Sequence, residues 1–507
     1  MHNIISVALN LHDHNTYDGV FHNQLERHTR FKHNLPYHAE AYAHQSDILN
    51  PADYRLNDEF VKTYFKNQNK NDIVFAFTYT YGGIRKAKDE LFNTMLKGHE
   101  DILNYEPKKL WDRYFKDNIY YIDHHQSHAT YAFLNSDFLQ SDILAIDGIG
   151  SKYRCVFFDR DGNLIDLSDK LPIGWLWNHM SNLTGFGTLG ASKLMGKVGY
   201  GKYSQYYYNV FETIFDGPIT EKKQKHFKHI KLKNIDDLAY TLQKFTIDKI
   251  KEHVYPLKSC DNLCIAGGVA YNGYMNEEFT KHYNNVYIPP AVGDEGQALG
   301  TYQHADFTIN KIIHKTETFA GNEYDYKGQR YRTKKVDYHQ LARAIADGKI
   351  VGWFQGKSES GNRALGNRSI LADPRNPDIK DIINGTIKKR EDFRPFAPAV
   401  LEECYKEYFD TNSPSPYMSR ICPVKSDKIP GVTHVDGTAR IQTVNREFNP
   451  KFYDLINEFY KITGIPMLLN TSFNCQEPIV ETPEHAIRTF NRTDLDILVI
   501  NDFEVKK

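Results

Sequence analysis

The 507 residues carry 63 Lys and Arg against 64 Asp and Glu, a formal charge of -1, with 40% hydrophobic and 25% charged residues. That balance gives no overall basic footprint for nucleic acid and no polybasic membrane anchor. The length exceeds what one core organises and points to two or three domains.

No run approaches the ~18 apolar residues of a bilayer span, so no transmembrane helix is expected. Ile4 to Asn10 turns polar too soon for a signal peptide, so a cytoplasmic location is expected. Cys155, Cys260, Cys264, Cys404, Cys422 and Cys475 are scattered without the spacing of a structural zinc site, and read as buried or incidental thiols in a reducing compartment.

In chain order, residues 4–10 read as a short apolar strand running into the polar loop His12-Asp13-His14. A helical region is expected from Tyr37, and strands over 70–77 and 118–122. The segment from His125 to Leu134 has helical composition. Residues 141–147 form a strand ending at Asp147-Gly148, followed by a meander over 153–158 and 163–166 with an Asp-Gly turn between its arms. The basic run 222–233 reads as a surface loop, and helical periodicity returns over 236–255. A strand at 263–266 enters Gly267-Gly268, and a helix is expected from Asn272.

A charged, tyrosine-rich connector over 322–336 separates a domain at 1–335 from another at 345–507, which opens with the strand 350–354. Strands interleaved with helices predict an α/β protein. Asp13, Asp147 and Gly267-Gly268 all end strands, while a Gly-x-Gly-x-x-Gly turn and a P-loop are both missing. A first domain of two nucleotide-binding lobes with a cleft between them fits best.

Asp123-His124-His125-Gln126-Ser127-His128 places His124 and His128 at i and i+4, stacked on one helix face, a spacing that lets two imidazoles share a metal. His125 with His128 is the competing pair, and a hydrogen-bonded histidine cluster without metal is the plainer reading. Asp294, in a loop flanked by Gly293 and Gly296, is the best distant third ligand; such a set suits Fe(II), Mn or Zn. In the second domain, Arg363, Arg368, Arg390, Arg394 and Arg440, with Lys357 and Lys388, supply fixed cations beside glycines, and Ser472 and Asn474 add neutral donors. Such a set suits a phosphorylated substrate.

Taken together, the motifs resemble the NodU/CmcH-type O-carbamoyltransferases over essentially the whole chain. The residues that carry the likeness are His12-Asp13, Glu26-Arg27 with Arg30 and Lys32-His33, His124-His125-x-x-His128-Ala129, Asp147-Gly148 and Lys193-x-Met195-Gly196 with Tyr200-Gly201. They continue with Ala266 to Asn272, Gly293 to Gly296, Gly361-Asn362-Arg363-Ala364-Leu365-Gly366-x-Arg368-Ser369-Ile370, Lys389 to Pro398, His434 to Arg440, and Asn470 to Asn474 followed by Glu477-Pro478. Gln24, Ser192, Ser360 and Asn362 depart from the family pattern.

The resemblance implies an actin/hexokinase/Hsp70-like first domain and a YrdC-like α/β second domain. It also implies two steps: Mg-ATP and carbamoyl phosphate give a carbamoyl-adenylate in the second domain, and the first passes the carbamoyl group to an acceptor hydroxyl with release of AMP. On that reading His12, with His14 or Asp13 as alternatives, is the general base, and Lys32 and His33 contact the same pocket. Asp147 faces the phosphate or a metal-bound water, Lys193 reaches the adenylate, and Gly267, Gly268 and Asn272 lie against the adenosine. The metal held by His124, His128 and Asp294 is expected to be Fe(II), with Mn or Zn as alternatives. The expected partner is a small hydroxylated acceptor, with a 5-hydroxymethyl pyrimidine nucleotide or DNA as a further class. A tRNA threonylcarbamoyl transferase and a non-catalytic nucleotide-binding scaffold are the competing functions.

Overall fold

The structure, a computed structural model, describes residues 3–9, 14–17, 22–24, 73–79, 119–148, 150, 152–187, 190–215, 230–326 and 333–505. His12, Asp13, Lys32 and His33, the helix expected from Tyr37 and most of the basic run 222–233 lie outside these residues.

Three sheets organise the described chain. In the first, β1 (Asn3–Leu9), β2 (His14–Tyr17), β3 (His22–Gln24), β4 (Ile73–Tyr79) and β5 (Ile119–Tyr121) lie in the order β3-β2-β1-β4-β5. The first three are antiparallel neighbours, while β4 runs parallel to β1 and β5 parallel to β4. The second sheet holds β6 (Asp142–Ile146), β7 (Cys155–Phe158), β8 (Leu164–Asp166), β9 (Asn262–Ala266) and β10 (Asn285–Tyr287) in the order β10-β9-β6-β7-β8. It repeats the plan, with an antiparallel meander on one side of β6 and parallel β9 and β10 on the other. Two copies of one topology make the two lobes of an actin/hexokinase-like domain.

The sequence of β6 explains how the lobes are built around it. Leu144 and Ile146 face a core shared with Trp175, Leu176, Leu242 and Phe245. Ala145 faces the other way, toward Ala129 on the helix His124–Leu134. Ala132 of the same helix packs against Cys264 and Ala266 of β9. These small side chains let the helix lie close over the sheet, which brings His124 and His128 to the end of β6. The helix begins cleanly because the Asp123 carboxylate accepts from the His125 and Gln126 amides at 2.9 and 3.2 Å. Its other flank meets the helix Gln297–Asn310, where Ser127 Oγ donates to the Gln297 carbonyl at 2.9 Å.

The third sheet belongs to the C-terminal unit: β11 (Thr333–Lys335), β12 (Val351–Phe354), β13 (Arg368–Ala372), β14 (Ala397–Leu401), β15 (Arg420–Pro423), β16 (Thr438–Val444), β17 (Met467–Ser472), β18 (Ile497–Ile500) and β19 (Phe503–Val505). Their order is β11-β19-β18-β12-β13-β17-β14-β16-β15, a mixed α/β sheet. Its edge strand β11 lies within 322–336, which the sequence assigns to the connector, because Thr333 to Lys335 pair with Phe503 to Val505.

The two units meet along a polar and apolar seam. Gly273 opens the helix Gly273–Phe279 against β15, and a Cβ there would stand 2.7 Å from Ile421 Cγ1. Asn276 donates to the Ser419 carbonyl at 2.7 Å, and Arg420 donates to the Val286 carbonyl at 3.0 Å. Among the described residues, no helix is long and apolar enough to cross a membrane.

Candidate active site

Where the two units meet, they enclose one cleft of about 1190 Å³. Asp147, Gly268 and Asp294 line it from the first domain, and Arg363, Arg390, Arg394 and Arg440 from the second.

On the first-domain wall, the helix His124–Leu134 presents its buried i, i+4 pair toward two carboxylates. His128 Nε2 lies 3.1 Å from Asp147 Oδ2 and 3.6 Å from Asp294 Oδ1; His124 Nε2 lies 3.2 Å from Asp294 Oδ1 and 3.5 Å from Asp147 Oδ2. All four donor atoms fall within 4.8 Å of one another. A divalent ion with N and O ligands at about 2.0–2.2 Å sets neighbouring donors roughly 3–3.5 Å apart, so the residues fit a metal. His125 points away into the fold, its ring atoms against Gly150.

The electrostatics suit the same ion. Burial alone would lower His124, but Asp294 and then Asp147 lift it to about 10. Burial opposes the charge on Asp147, yet hydrogen bonds from His124 and His128 hold its carboxyl well below the usual range. Metal-free, the cluster neutralises its carboxylates with protons on imidazole; a divalent cation does the same with neutral rings.

The Gly267-Gly268 turn serves this wall. Gly267 has φ +94°, and a Cβ there would sit 2.2 Å from the Ile146 carbonyl oxygen. The turn lets the Gly268 amide donate to Asp147 Oδ2 at 3.1 Å. Gly267 packs against β6 without lining the cleft. Asn272 reaches the cleft wall, but its amide is committed: Oδ1 accepts from the Met275 amide at 3.0 Å and Nδ2 donates to Gln243 at 2.8 Å.

On the opposite wall the arginines converge with little to neutralise them. Arg440 donates to the Met418 carbonyl at 3.1 Å and the Tyr271 carbonyl at 3.4 Å. Arg390 Nε donates to Asn384 at 2.7 Å, and Arg394 lies 3.8 Å from Glu391. Arg363 lies over the Tyr271 ring, 5.3 Å from its centroid, and its buried Nε has no hydrogen-bond partner. Burial first, and then Arg394, pulls Arg390 down to about 9; burial and then Arg363 does the same to Arg440. Half-buried guanidiniums repelling one another call for an anion between them.

Lys388 ends the π-helical turn Ile383–Lys388 and is buried. Its ammonium donates to the Ser472 carbonyl, to Ser472 Oγ at 3.1 Å and to Asn474 Oδ1 at 2.6 Å. The lysine therefore braces the Ser472–Asn474 turn at the cleft floor.

Two expected anion ligands stand elsewhere. Arg368 is fully buried and donates to the carbonyls of Gln355, Asn367 and Gly356 at 2.6, 3.1 and 3.0 Å. It tethers the loop after β12 and does not line the cleft. Lys357 also lies off the cleft, 3.6 Å from Glu317. Arg368 sits in a motif that also holds the cleft residues Asn362 and Arg363, and its inward placement follows from loop packing that residue type does not report.

Lys193 lines the cleft but is held across it, 2.9 Å from Glu391 Oε1. Sequence reasoning passed over Glu391, Tyr271 and Glu295. Each lies inside a stretch that carries the family likeness: Lys389 to Pro398, Ala266 to Asn272 and Gly293 to Gly296 respectively.

A two-lobed fold with a clustered metal-type site, facing an arginine-rich wall across a cleft, is the architecture of an enzyme. Family comparison says which: residues 52–302 match the model described as Carbamoyltransferase N-terminus, and residues 342–507 match Carbamoyltransferase C-terminus. The chain belongs to the carbamoyltransferase family and is a carbamoyl-transferring enzyme. It is similar to Nodulation protein NolO of Bradyrhizobium diazoefficiens, at 35% identity over 437 residues, covering 76% of this chain and 79% of that one. An uncharacterized protein of Synechocystis is 33% identical over 480 residues, covering 76% of each chain. Among solved structures, the activator of 2-hydroxyisocaproyl-CoA dehydratase from Clostridium difficile is a remote likeness, with 14% identity, 61% of this chain and 98% of that chain covered, and a TM-score of 0.35.

Proposed function

We propose that the chain is an ATP-dependent O-carbamoyltransferase that makes a carbamoyl-adenylate from carbamoyl phosphate and ATP and passes the carbamoyl group to a hydroxyl of a small acceptor. The observation that carries this reading is the cleft lined by Asp147 and Asp294, which lie against the buried His124 and His128, on one side and by Arg363, Arg390, Arg394 and Arg440 on the other. An activated carbamoyl ester is prone to hydrolysis, and a shared cleft keeps it between the domains that make and use it.

Arg363, Arg390, Arg394 and Arg440 bind and orient the phosphates, with bidentate geometry that a lysine does not reproduce. Lys388 holds Ser472 and Asn474 against the same oxygens. Water cleaves carbamoyl phosphate to carbamate and phosphate, and the carbamate oxygen attacks the α-phosphorus of ATP, so that pyrophosphate leaves as the carbamoyl-adenylate forms. At the other wall, the acceptor oxygen attacks the carbamoyl carbon, its proton passes to a base, and AMP leaves. His12 is proposed as that base, with His14 or Asp13 the alternatives and Lys32 and His33 in the same pocket. A divalent metal, Fe(II) in preference to Mn or Zn, supplies Lewis acidity and charge neutralisation at the cluster when bound. Lys193, Gly268 and Asn272 border the space assigned to the adenylate. The acceptor classes are natural-product and sugar hydroxyls, with modified pyrimidine nucleotides or DNA as a further class, and the proposed setting is the cytoplasm.

Exchange of labelled pyrophosphate into ATP tests the first half-reaction. Exchange that depends on carbamoyl phosphate and is lost in Arg440→Ala supports the reading. Exchange indifferent to carbamoyl phosphate rejects it.

A further inference from the structure

Two residues tie the walls of the cleft together. Tyr271 belongs to the stretch Ala266 to Asn272, and Glu295 to the stretch Gly293 to Gly296. The Tyr271 hydroxyl donates to Glu295 Oε1, and the Gly293 amide donates to the same oxygen at 3.1 Å. Glu295 is buried and adjoins Asp294, whose Oδ1 lies 3.2 Å from His124 Nε2. From its other side, Tyr271 meets the second domain twice. Its carbonyl accepts from Arg440 Nη1 and Nη2, each at 3.4 Å, and its ring lies under the Arg363 guanidinium at 5.3 Å.

A displacement of Tyr271 therefore moves a ring and a carbonyl that seat two cleft arginines. The same displacement pulls on the carboxylate next to Asp294. The hydroxyl–carboxylate bond is the link between these movements, because the ring and carbonyl contacts to the arginines do not require the hydroxyl.

We propose that Tyr271 and Glu295 are positioning residues that fasten Arg363 and Arg440 to the Asp294 loop, so that anion binding at the arginine wall and divalent-metal binding at the histidine–aspartate cluster strengthen one another. The inference rests on the reading that the cluster holds a divalent metal. Because linkage is reciprocal, a pocket that binds anion more tightly when metal is present must bind metal more tightly when anion is present.

The test uses the full chain with Mn(II) and pyrophosphate as probes and two variants of similar size, Tyr271→Phe and Glu295→Met. Tyr271→Phe keeps the ring under Arg363 and the carbonyl at Arg440, and Glu295→Met keeps the side-chain length while removing both acceptor oxygens. Calorimetry measures Mn(II) affinity with and without pyrophosphate. Formation of the Mn–pyrophosphate complex in solution is common to every sample and cancels in the ratio between proteins. The ratio of coupling factors, wild type to variant, is expected to be at least about five for either variant, within the ordinary range of coupling between sites. The double variant is expected to lose no more coupling than either single one, since both remove one bond. Wild-type coupling that persists unchanged in both variants would overturn the inference while leaving the metal reading intact. Absence of Mn(II) binding to the wild-type protein would overturn that reading and the inference with it.

Discussion

Lys193 Nζ lies 2.9 Å from Glu391 Oε1, an ion pair that joins the two domains across the mouth of the cleft. Glu391 also lies 3.8 Å from Arg394, so one carboxylate serves cations on both walls. On the proposed reading, an incoming phosphate competes with it for both.

The two partners should respond in opposite directions. Lys193→Met removes a cation and is expected to raise KM for ATP about tenfold, while Glu391→Gln removes the competing carboxylate and is expected to lower KM for carbamoyl phosphate. Both side chains are about one-third exposed, so loss of the pair should change unfolding free energy by less than ~1 kcal/mol. Steady-state kinetics alongside denaturant titration checks the pair; a common direction for both variants would count against it.

Arg368 and Arg440 separate structure from binding. Arg368→Met leaves the Gln355, Asn367 and Gly356 carbonyls without their guanidinium, and is expected to cost about 2–4 kcal/mol of stability. In the fraction that remains folded, KM for carbamoyl phosphate should be unchanged. Arg440→Met should do the reverse, leaving the melting temperature nearly unchanged and raising KM by at least about tenfold.

At Gly267 and Gly268 the cost falls on different properties. Gly267→Ala meets the Ile146 carbonyl in a backbone conformation that L side chains rarely adopt, and should destabilise the first domain by several kcal/mol. Gly268→Ala places a Cβ 3.2 Å from Asp147 Oδ1 and should weaken metal binding about tenfold with a smaller loss of stability. Metal content after dialysis, measured beside thermal unfolding, distinguishes the two.

His434 gives the fold a pH dependence on the acid side. Burial pulls its imidazole down to about 4; Asp436 acts the other way, and Arg440 and Lys380 add to the fall. The folded protein keeps the ring neutral, whereas the unfolded chain takes up a proton below ~6.5. Stability from this group is therefore complete above pH ~6.5 and lost as pH falls toward 4. His434→Gln should flatten that slope by up to one proton in denaturation series across this range; an unchanged slope would show the imidazole titrating normally in the fold.

Much of this was legible in the sequence where chemistry follows local order. His124 and His128 share a face because helical spacing puts them there, and Asp147 ends a strand whose apolar run is plain. Asp294 was suggested by its glycine-flanked turn, although only the packing of two helices brings it within 3.2 Å of His124. The direction of an arginine was not legible. Arg363 and Arg368 lie five residues apart in one motif, yet one faces the cleft and the other caps carbonyls beneath it. Glu391 as the partner of Lys193 was equally hidden, since the pair spans two domains and nearly two hundred residues.

The most direct test of the central claim is mass spectrometry of the full chain incubated with Fe(II), Mg-ATP, carbamoyl phosphate and a panel of hydroxylated acceptors: sugars, aminoglycosides, a β-lactam alcohol, and 5-hydroxymethylcytosine as nucleotide and in DNA. The account expects one acceptor class to gain the mass of a carbamoyl group in place of hydrogen, with AMP and pyrophosphate formed in step, and expects the product to vanish in Arg440→Ala. Carbamoylated product formed equally without ATP, or no consumption of ATP in the presence of metal and carbamoyl phosphate, would contradict it.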